Sequence, residues 1–344
     1  MIVRSRAPVR IDLAGGWTDV PPFADREGGA VVNVAINRYT SVTLRLQPGS
    51  GVRLRSADYN TTVAADSIAQ LTYDGQLDLI KAALKQAGRS IGLELTTRAI
   101  APPGSGLGTS AAMSVALVGA LSLMHGEQLT RAELAERATR LEIEELRIAG
   151  GKQDQLAAAL GGINFLEFSA ALPTSTPLTL PASRINELEQ RLVLCYSGTS
   201  RLSGDIIQRV QVAYLRGEPA TCDALRRMRA IATEMRSALL DGTFDQIGPL
   251  LRENWRCQQA LHPSVTNASV TQLFAIAEQH GALGGKACGA GGGGCLVFFC
   301  EPGVEDQVRQ ALVAAGAQII DFNVDRDGLQ TWQVDQQSGQ VISV

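Results

Sequence analysis

An α+β fold with two domains is predicted by the order of elements in this chain of 344 residues. The first half contains stretches rich in Val, Ile and Thr with the alternation typical of strands, whereas the chain from Gly204 to about His280 has helical spacing. Strands and helices mix without the regular rhythm of a doubly wound sheet. The length allows two ordinary domains, and the Pro-, Ser- and Thr-rich stretch Ser169–Ser183 divides them into residues 1–170 and 184–344.

Each element of the first half has a local signal. The segment Ala30–Leu46 is rich in β-formers, and the alternating "VRLRS" follows it after a turn. Helical spacing and a terminal glycine predict a helix over Leu77–Gly88. The strand "GLELTTRAIA" comes next. Further on, a helix over Thr130–Arg147 begins with a capping box formed by Thr130 and Glu133.

The remaining elements alternate more irregularly. "QLAAAL" predicts a short helix that stops at Gly161–Gly162, before the strand "INFLEF". "RLVLCYSG" predicts a strand ahead of the long helical region. The chain then continues through "KACGAGGGGCLVFFC", a helix in "GVEDQVRQALVAAG" and a strand near "AQIIDFNV".

Composition excludes several classes of function. Hydrophobic residues make up 45% and charged residues 19%, with a formal net charge of -3 and no runs of Arg or Lys, so neither nucleic acid nor a membrane is expected as a partner. No apolar run reaches the length of a transmembrane helix, and the first residues lack a signal-peptide pattern, so we expect a cytoplasmic protein. The cysteines are scattered without disulfide or metal-ligand spacing and are expected to be idle thiols: Cys195, Cys222, Cys257, Cys288, Cys295 and Cys300.

Two glycine-rich stretches indicate close approach to a ligand. "GSGLGTS" stands directly before an apolar helix, where unpaired N–H groups and the helix dipole favour phosphate and where Ser110 could meet a metal ion. A plain loop with a Thr or Ser N-cap is the alternative. "GAGGGG", Gly289–Gly294, matches G-x-G-x-x-G but leads into a strand, which argues against a dinucleotide-binding fold. Close contact with a ligand or with another glycine loop fits this second stretch better.

Charged candidates also have structural explanations. Asp154 precedes "QLAAAL" and could be an N-cap, because Asp is favoured there. Arg10 and Asp19 could each belong to a surface ion pair, and Glu144 could lie on a solvated helix face beside Glu142 and Glu145.

Together these pieces resemble the galactokinase, homoserine kinase, mevalonate kinase and phosphomevalonate kinase (GHMP kinase) superfamily. "PVRIDLAGGWTD" is similar to its N-terminal motif, and "PPGSGLGTSAA" to its phosphate loop P-x-x-x-G-L-G-S-S-A-A, with Thr109 in place of the first Ser. "KACGAGGGGC", within 286–295, is similar to its C-terminal glycine motif, and "GGKQDQLAAALGG" carries the acidic residue of the family. The motifs span almost the whole chain.

The resemblance implies a fold and a role for each matching residue. The fold would be a two-domain α+β GHMP kinase fold, with a left-handed βαβ crossover in the first domain, a ferredoxin-like sandwich in the second and the active site in the cleft between them. Asp154 would be the catalytic Asp that orients or deprotonates the accepting hydroxyl, with Arg10 beside it, and Ser110 and Glu144 would contact Mg²⁺. The phosphates of ATP would bind within 102–112 at Pro103, Gly104, Ser105, Gly106, Leu107, Gly108, Thr109, Ser110 and Ala111. The acceptor would meet Asp19, Trp17, Gly16, Gly151, Gly291 and Gly292. Lys152, Arg38 and Arg201 are added as acceptor contacts by their positions in the chain.

The implied activity is ATP- and Mg²⁺-dependent phosphorylation of a small sugar or sugar phosphate. Galactokinases carry G-E-H-T-D where this chain has "GGWTD", so galactose is disfavoured. The motif forms look most like the branch that phosphorylates D-glycero-D-manno-heptose 7-phosphate at its anomeric hydroxyl, with L-fucose kinases as the alternative. A non-catalytic sensor on the same fold is a further alternative. Arg38, Lys152 and Arg201 are the candidates for holding a sugar phosphate. The oligomeric state stays open, a homodimer included.

Overall fold

A computed structural model of the chain describes residues 2–89, 91–102, 104–199, 204–335 and 340–342. Its strands are β1 (Ile2–Ala14), β2 (Gly29–Gln47), β3 (Val52–Ser56), β4 (Thr61–Ala65), β5 (Gly92–Ala99), β6 (Ile163–Phe168), β7 (Thr174–Pro177), β8 (Leu192–Tyr196), β9 (Ala282–Ala287), β10 (Cys295–Cys300), β11 (Gln318–Ile319), β12 (Gln330–Val334) and β13 (Val341–Ile342). Its α-helices are α1 (Phe23–Glu27), α2 (Asp78–Ala87), α3 (Thr109–His125), α4 (Arg131–Arg140), α5 (Gln153–Leu160), α6 (Ala182–Arg191), α7 (Gly204–Leu215), α8 (Pro219–Asp241), α9 (Ile247–Leu261), α10 (Ala268–Gln279) and α11 (Glu305–Ala314).

The larger sheet is built around the two long strands β1 and β2. Its order is β13-β12-β1-β2-β5-β3-β4, with β6 paired to β2 and β7 paired to β6. Among the described strands, β3 and β5 form the one parallel pair, and α2 lies in the connection between them. That connection is where the predicted βαβ crossover falls, and its left hand stays a prediction.

The helix α3 is buried because almost none of its surface is polar. Its apolar and small residues occur on all sides, so it packs against β1, β2 and α4 rather than exposing one face. The hydroxyl of Ser5 in β1 donates to the carbonyl of Ala116 in α3 over 2.6 Å, which ties the helix to the sheet. Among the described helices none combines the length and apolarity needed to cross a bilayer.

The second sheet has the predicted ferredoxin-like organisation. Its strands run antiparallel in the order β11-β8-β10-β9. Helices α7 to α10 connect β8 to β9, and α11 connects β10 to β11, which gives the order βαββαβ. The two-domain α+β fold predicted from the sequence is therefore confirmed.

The end of the chain returns to the first sheet. Strand β12 pairs antiparallel with β1, so that Ile2 lies opposite Val334, and β13 extends the same edge. Buried apolar residues form two clusters, and the second includes Trp17, Val20 and Phe23 from the N-terminal half. The domain limits 1–170 and 184–344 stay a prediction, and the last strands belong to the sheet that β1 begins.

Candidate active site

A cleft of about 630 Å³ runs between the two halves of the molecule. Four segments that the sequence singled out line it, namely the turn after β1, the loop before α3, the turn before α5 and the start of the second glycine loop. The N-terminus of α7 completes the wall with Gly204 and Asp205. A volume in this range suits a small-molecule substrate together with part of a nucleotide.

The loop before α3 has the open backbone that phosphate binding needs. Gly104, Gly106 and Gly108 all have positive φ, of 68°, 78° and 74°. Gly108 is the N-cap of α3, and no side chain caps the helix, so the alternative of a Thr or Ser N-cap is not found. The first N–H groups of α3 therefore remain available to an anion. Leu107 is buried, while Thr109, Ser110 and Ala111 line the cleft; the predicted Pro103 lies outside the described residues.

The two glycine loops pack against each other. A Cβ added to Gly289 would lie 2.6 Å from the Cα of Gly106, and one added to Gly294 would lie 2.7 Å from the carbonyl oxygen of Ser105. The N–H of Cys295 donates to that same carbonyl over 2.6 Å. The glycines of the second stretch thus allow its backbone to pack against the loop before α3. This contact closes the base of the cleft.

Gly291 and Gly292 were predicted to contact the acceptor, and the structure contradicts this prediction. Neither lines the described cleft. A Cβ on Gly291 would lie 2.3 Å from the carbonyl oxygen of Val265, and the N–H of Gly292 donates to that carbonyl over 2.6 Å. The side-chain amide of Asn267 donates to the carbonyl of Gly292 over 2.9 Å. The loop turns away from the cleft because its backbone is held to the start of α10.

Arg10 and Asp154 form a bidentate pair in the centre of the cleft. Nε of Arg10 donates to Oδ1 of Asp154 over 2.8 Å, and Nη2 donates to Oδ2 over 2.9 Å. Nη1 of Arg10 donates to the carbonyl of Gly106 over 2.6 Å, which links the pair to the phosphate loop. Burial disfavours the charged guanidinium, but the charges of Asp154 and Asp12 outweigh it, and the pKa of Arg10 is raised. Asp154 is not an N-cap, because α5 begins after Lys152.

Asp19 lies close to the same carboxylate from the other side. Its Oδ2 accepts a hydrogen bond of 3.1 Å from the N–H of Gln153, and a Cβ on Gly151 would lie 1.7 Å from this oxygen. Burial and then the charge of Asp154 raise the pKa of Asp19 to about 6. Gly151 therefore has to be glycine for Asp19 to reach the start of α5. Gly16 and Trp17 line the cleft beside it, as predicted.

The three predicted phosphate-holding cations have different outcomes. Lys152 lines a narrow groove beside the cleft, on the outer side of Asp19. The prediction for Arg38 is wrong. Arg38 does not line the cleft, and its Nε donates to the carbonyl of Asp321 over 2.7 Å. The returning segment before β12 covers that part of β2 and holds the guanidinium there. Arg201 lies outside the described residues, three positions before the first residue of α7.

Glu142, rather than the predicted Glu144, faces the phosphate loop. Its Oε2 accepts from the hydroxyl of Ser110 over 3.3 Å, and its Oε1 accepts from Ser114 over 2.5 Å. Burial raises the pKa of Glu142 to about 7, and Asp154 adds to the rise, against the hydrogen bond from Ser114. Glu144 is exposed and does not line the cleft. Both residues lie in the π-helical turn Leu141–Glu145 that continues α4. Side chains two positions apart on such a turn point to nearly opposite sides, so Glu142 faces the loop and Glu144 faces solvent.

The sequence held one signal for Glu142. It stands four positions after the buried Ala138, a helical spacing that could have identified it as the inward-facing carboxylate.

A buried ion pair beneath the cleft was not anticipated. Nζ of Lys286, in β9, donates to Oδ2 of Asp12 over 2.5 Å and to the carbonyl of Asp12 over 2.9 Å. Lys286 is 0% exposed and Asp12 is 4% exposed. Oδ1 of Asp12 accepts from the N–H of Gly16 over 3.3 Å. This chain of contacts connects the second sheet to the turn after β1.

Two family models match the chain. Residues 77–162 match the model described as GHMP kinases N terminal domain, and residues 235–318 match the model described as GHMP kinases C terminal. The first match contains the phosphate loop, Glu142 and Asp154, and the second contains the second glycine loop.

Relatives and solved structures agree over nearly the full chain. The chain is 30% identical to the D-glycero-alpha-D-manno-heptose 7-phosphate kinase of Campylobacter jejuni, over 96% of this chain and 99% of that protein. It is 32% identical to the bifunctional fucokinase/GDP-fucose pyrophosphorylase of Arabidopsis thaliana, over 89% of this chain but 30% of that longer protein. The crystal structure of a D-glycero-D-manno-heptose 1-phosphate kinase from Bacteroides thetaiotaomicron matches with a TM-score of 0.81 and 29% identity, over 97% of this chain and 100% of that chain.

Proposed function

Because the chain belongs to the GHMP kinase family and is an ATP-dependent sugar kinase, we propose that it phosphorylates D-glycero-D-manno-heptose 7-phosphate. The group modified would be the anomeric hydroxyl, and the product would be the 1,7-bisphosphate. The full-length similarity to a heptose 7-phosphate kinase supports this choice over other sugars. We further propose that the bisphosphate is a precursor of nucleotide-activated heptose for surface polysaccharide.

The position of Asp154 is the observation that carries the mechanism. A Cβ built on Gly108 would lie 3.1 Å from the carboxylate of Asp154, so this carboxylate touches the phosphate loop. Asp19 lies on the acceptor side and is close enough for the charge of Asp154 to raise its pKa. Donor phosphates at the N-terminus of α3 and a hydroxyl near Asp19 would therefore meet at Asp154.

The side chains divide the work of phosphoryl transfer among them. Asp154 accepts a hydrogen bond from the attacking hydroxyl and takes its proton as the new O–P bond forms, while the bond between the γ-phosphorus and the bridging oxygen breaks and ADP leaves with that oxygen. Arg10 uses three nitrogen atoms to hold Asp154 and the carbonyl of Gly106, so it keeps the carboxylate oriented toward the phosphate loop. The N–H groups at the start of α3 face the charge that develops on the phosphoryl oxygens.

The residues around Ser110 fit Mg²⁺. Among the described residues no Lys or Arg pairs with Glu142, although its carboxylate is buried within reach of the hydroxyl of Ser110. Mg²⁺ is usually held by one or two carboxylates together with substrate phosphates and water, and a hydroxyl and a carboxylate supply the hard oxygen atoms it prefers. We propose Ser110 and Glu142 as the protein ligands; when bound, the ion would neutralise charge on the transferring phosphates.

Ser110→Ala should raise the Mg²⁺ concentration needed for half-maximal rate by at least about 10-fold, since replacing even a group that only supports a metal ligand usually costs that much affinity. The helix should stay intact because Ala is the better helix former. Glu142→Gln should shift the same curve further, whereas Glu144→Gln serves as the matched control and should leave it unchanged. Direct Mn²⁺ binding, measured by electron paramagnetic resonance in the presence of ATP, should weaken in parallel. An identical metal dependence for wild type and Ser110→Ala would remove Ser110 from the metal site.

The phosphate of the acceptor needs positive groups that the described cleft does not supply. Among the described lining residues Arg10 is the one cation, and Asp154 already holds it. The N-terminus of α7 contributes Gly204 to the wall, and Arg201 precedes it in sequence. We therefore propose Arg201 for the sugar phosphate, with Lys152 beside Asp19 as the second candidate.

The kinase should prefer the phosphorylated heptose over the free sugar by at least about 100-fold in kcat/KM, since one or two charge-assisted contacts supply that difference. The measurement is ADP release with Mg²⁺-ATP and a panel of heptose 7-phosphate, free heptose, L-fucose, galactose and mevalonate. Arg201→Ala should reduce the preference by about 10-fold or more, whereas Arg38→Ala should leave it unchanged. Equal use of free and phosphorylated heptose would contradict the proposal.

L-fucose is the second candidate acceptor. The similarity to the fucokinase part of a bifunctional enzyme supports it, and L-fucose carries no phosphate. Turnover of L-fucose above that of every other sugar in the panel would establish this alternative. The third alternative, a non-catalytic sensor, is not retained because the chain is an ATP-dependent sugar kinase.

A further inference from the structure

Two buried polar atoms on the acceptor side of the cleft have no hydrogen-bond partner among the described residues. They are the side-chain oxygen Oε1 of Gln153 and the indole Nε1 of Trp17. Both residues line the cleft and both are 7% exposed. Buried polar atoms in native proteins are nearly always paired with protein groups, ordered water or a ligand, so an unpaired amide oxygen on a side chain that lines the cleft is a candidate acceptor for a hydroxyl group of a bound ligand.

Gln153 is placed between the catalytic carboxylate and the turn after β1. It is the first residue of α5 and the neighbour of Asp154, and its backbone N–H already donates to Asp19. Its side-chain amide lies over Gly16, because a Cβ built there would be 3.1 Å from Nε2 of Gln153. The same Cβ would lie 2.0 Å from Oδ2 of Asp12. A side chain at position 16 is thereby excluded, and the amide of Gln153 takes the space beside it.

The neighbouring Gln155 also lines the cleft, but its side chain points to a different part of it than that of Gln153. It also has an unpartnered Oε1, but its Nε2 donates to Oε1 of Glu142 over 3.4 Å. Gln155 therefore faces Glu142 and the phosphate loop. Gln153 faces the opposite part of the cleft, where Asp19, Gly16 and Trp17 meet.

We propose that Gln153 determines specificity for the acceptor: its Oε1 accepts a hydrogen bond from a sugar hydroxyl next to the one that is phosphorylated. The inference rests on the proposed function in one respect, since it takes the acceptor to be a sugar bound between Asp19 and Asp154. A carbonyl oxygen selects a hydroxyl hydrogen there and discriminates against a deoxy sugar, which would leave the buried oxygen unpaired.

The test compares Gln153→Met with wild type on whichever sugar of the panel the wild type phosphorylates. Met keeps the length of the side chain and removes the acceptor. We expect kcat/KM for the sugar to fall about 10- to 100-fold, mainly through KM, while KM for ATP changes by less than about 2-fold. Gln307→Met, on the exposed face of α11, makes the same replacement far from the cleft and should match wild type.

Deoxy analogues of the accepted sugar then identify the hydroxyl. Removing the hydroxyl that Gln153 binds should lower wild-type kcat/KM by a similar factor and should abolish the difference between wild type and Gln153→Met. Removing any other hydroxyl should leave that difference unchanged. A structural role for Gln153 would instead give the same ratio of the two enzymes for every analogue, and that result would overturn the inference.

The outcomes separate this inference from the proposed function. If wild type uses L-fucose and ignores heptose 7-phosphate, the heptose proposal fails, and Gln153→Met is measured on L-fucose with the same expectation. If Gln153→Met equals Gln307→Met on the accepted sugar, the inference about Gln153 fails whatever that sugar is. Should the Met variant melt well below wild type, Gln153→Ala, which leaves room for water, gives the same comparison.

Discussion

Asp154→Asn is expected to lower kcat by about 1000-fold, within the range of losing a positioned general base. The substitution keeps the shape of the side chain and removes its charge. Because Asp154 does not cap α5, the change leaves the helix start as it is. The chemical step is measured by single-turnover phosphoryl transfer, with saturating ATP and with enzyme in excess over the acceptor, so that product release does not mask it.

ATP binding and folding serve as the controls for this variant. The asparagine amide would place an N–H group against Nη2 of Arg10, which now donates to Oδ2 over 2.9 Å, so a lower melting temperature is expected. The Kd of a non-hydrolysable ATP analogue should change by less than about 5-fold, because the N-terminus of α3 is untouched. A turnover within about 10-fold of wild type would show that Asp154 orients Arg10 and does no more.

Lys286→Met is expected to lower the free energy of unfolding by about 3 to 5 kcal/mol, the usual cost of leaving one partner of a buried ion pair alone. The carboxylate of Asp12 would lose a 2.5 Å contact while remaining 4% exposed. Urea denaturation followed by circular dichroism measures the change. Lys85→Met is the matched control: this half-exposed lysine lies 4.3 Å from the ring centre of Tyr73, and its loss should cost about 1 kcal/mol or less.

The double variant Asp12→Asn/Lys286→Met tests whether charge is the cause. Asn can still accept the hydrogen bond from the N–H of Gly16, but it leaves no buried charge unpaired. We expect the double variant to be at least about 2 kcal/mol more stable than Lys286→Met alone. Asp12→Asn is measured alone as well. If the losses of unfolding free energy in Asp12→Asn and Lys286→Met add up to the loss in the double variant, Lys286 contributes through packing and not through its charge.

Most of the secondary structure could be read from local signals. The apolar run of α3 and the glycines before it predict a buried helix with an open N-terminus, and the capping box at Thr130 is found as expected. The strand predicted over Ala30–Leu46 differs from β2 by one residue at each end. These features depend on interactions between residues a few positions apart, so they can be predicted from the local sequence.

The candidate site was partly predictable. The motifs pointed to Asp154, Arg10, Asp19 and the phosphate loop, and the structure brings all of them to one cleft. Glu144 and Arg38 were wrong for different reasons. The first depends on which side of a helical turn faces the loop, and the second on a segment of chain far away in sequence that returns to cover β2.

By itself the sequence determined the order of the elements, the open backbone of the two glycine loops and the identity of the residues that can carry phosphoryl transfer. Only the tertiary structure decided which of them meet: Gly289 against Gly106, Glu142 against Ser110, Lys286 under Asp12, and Gln153 over Gly16. Local conformation follows from steric limits and hydrogen bonds within a few residues. Contacts between distant segments follow from how the two sheets and their helices pack, and that packing depends on the whole chain at once.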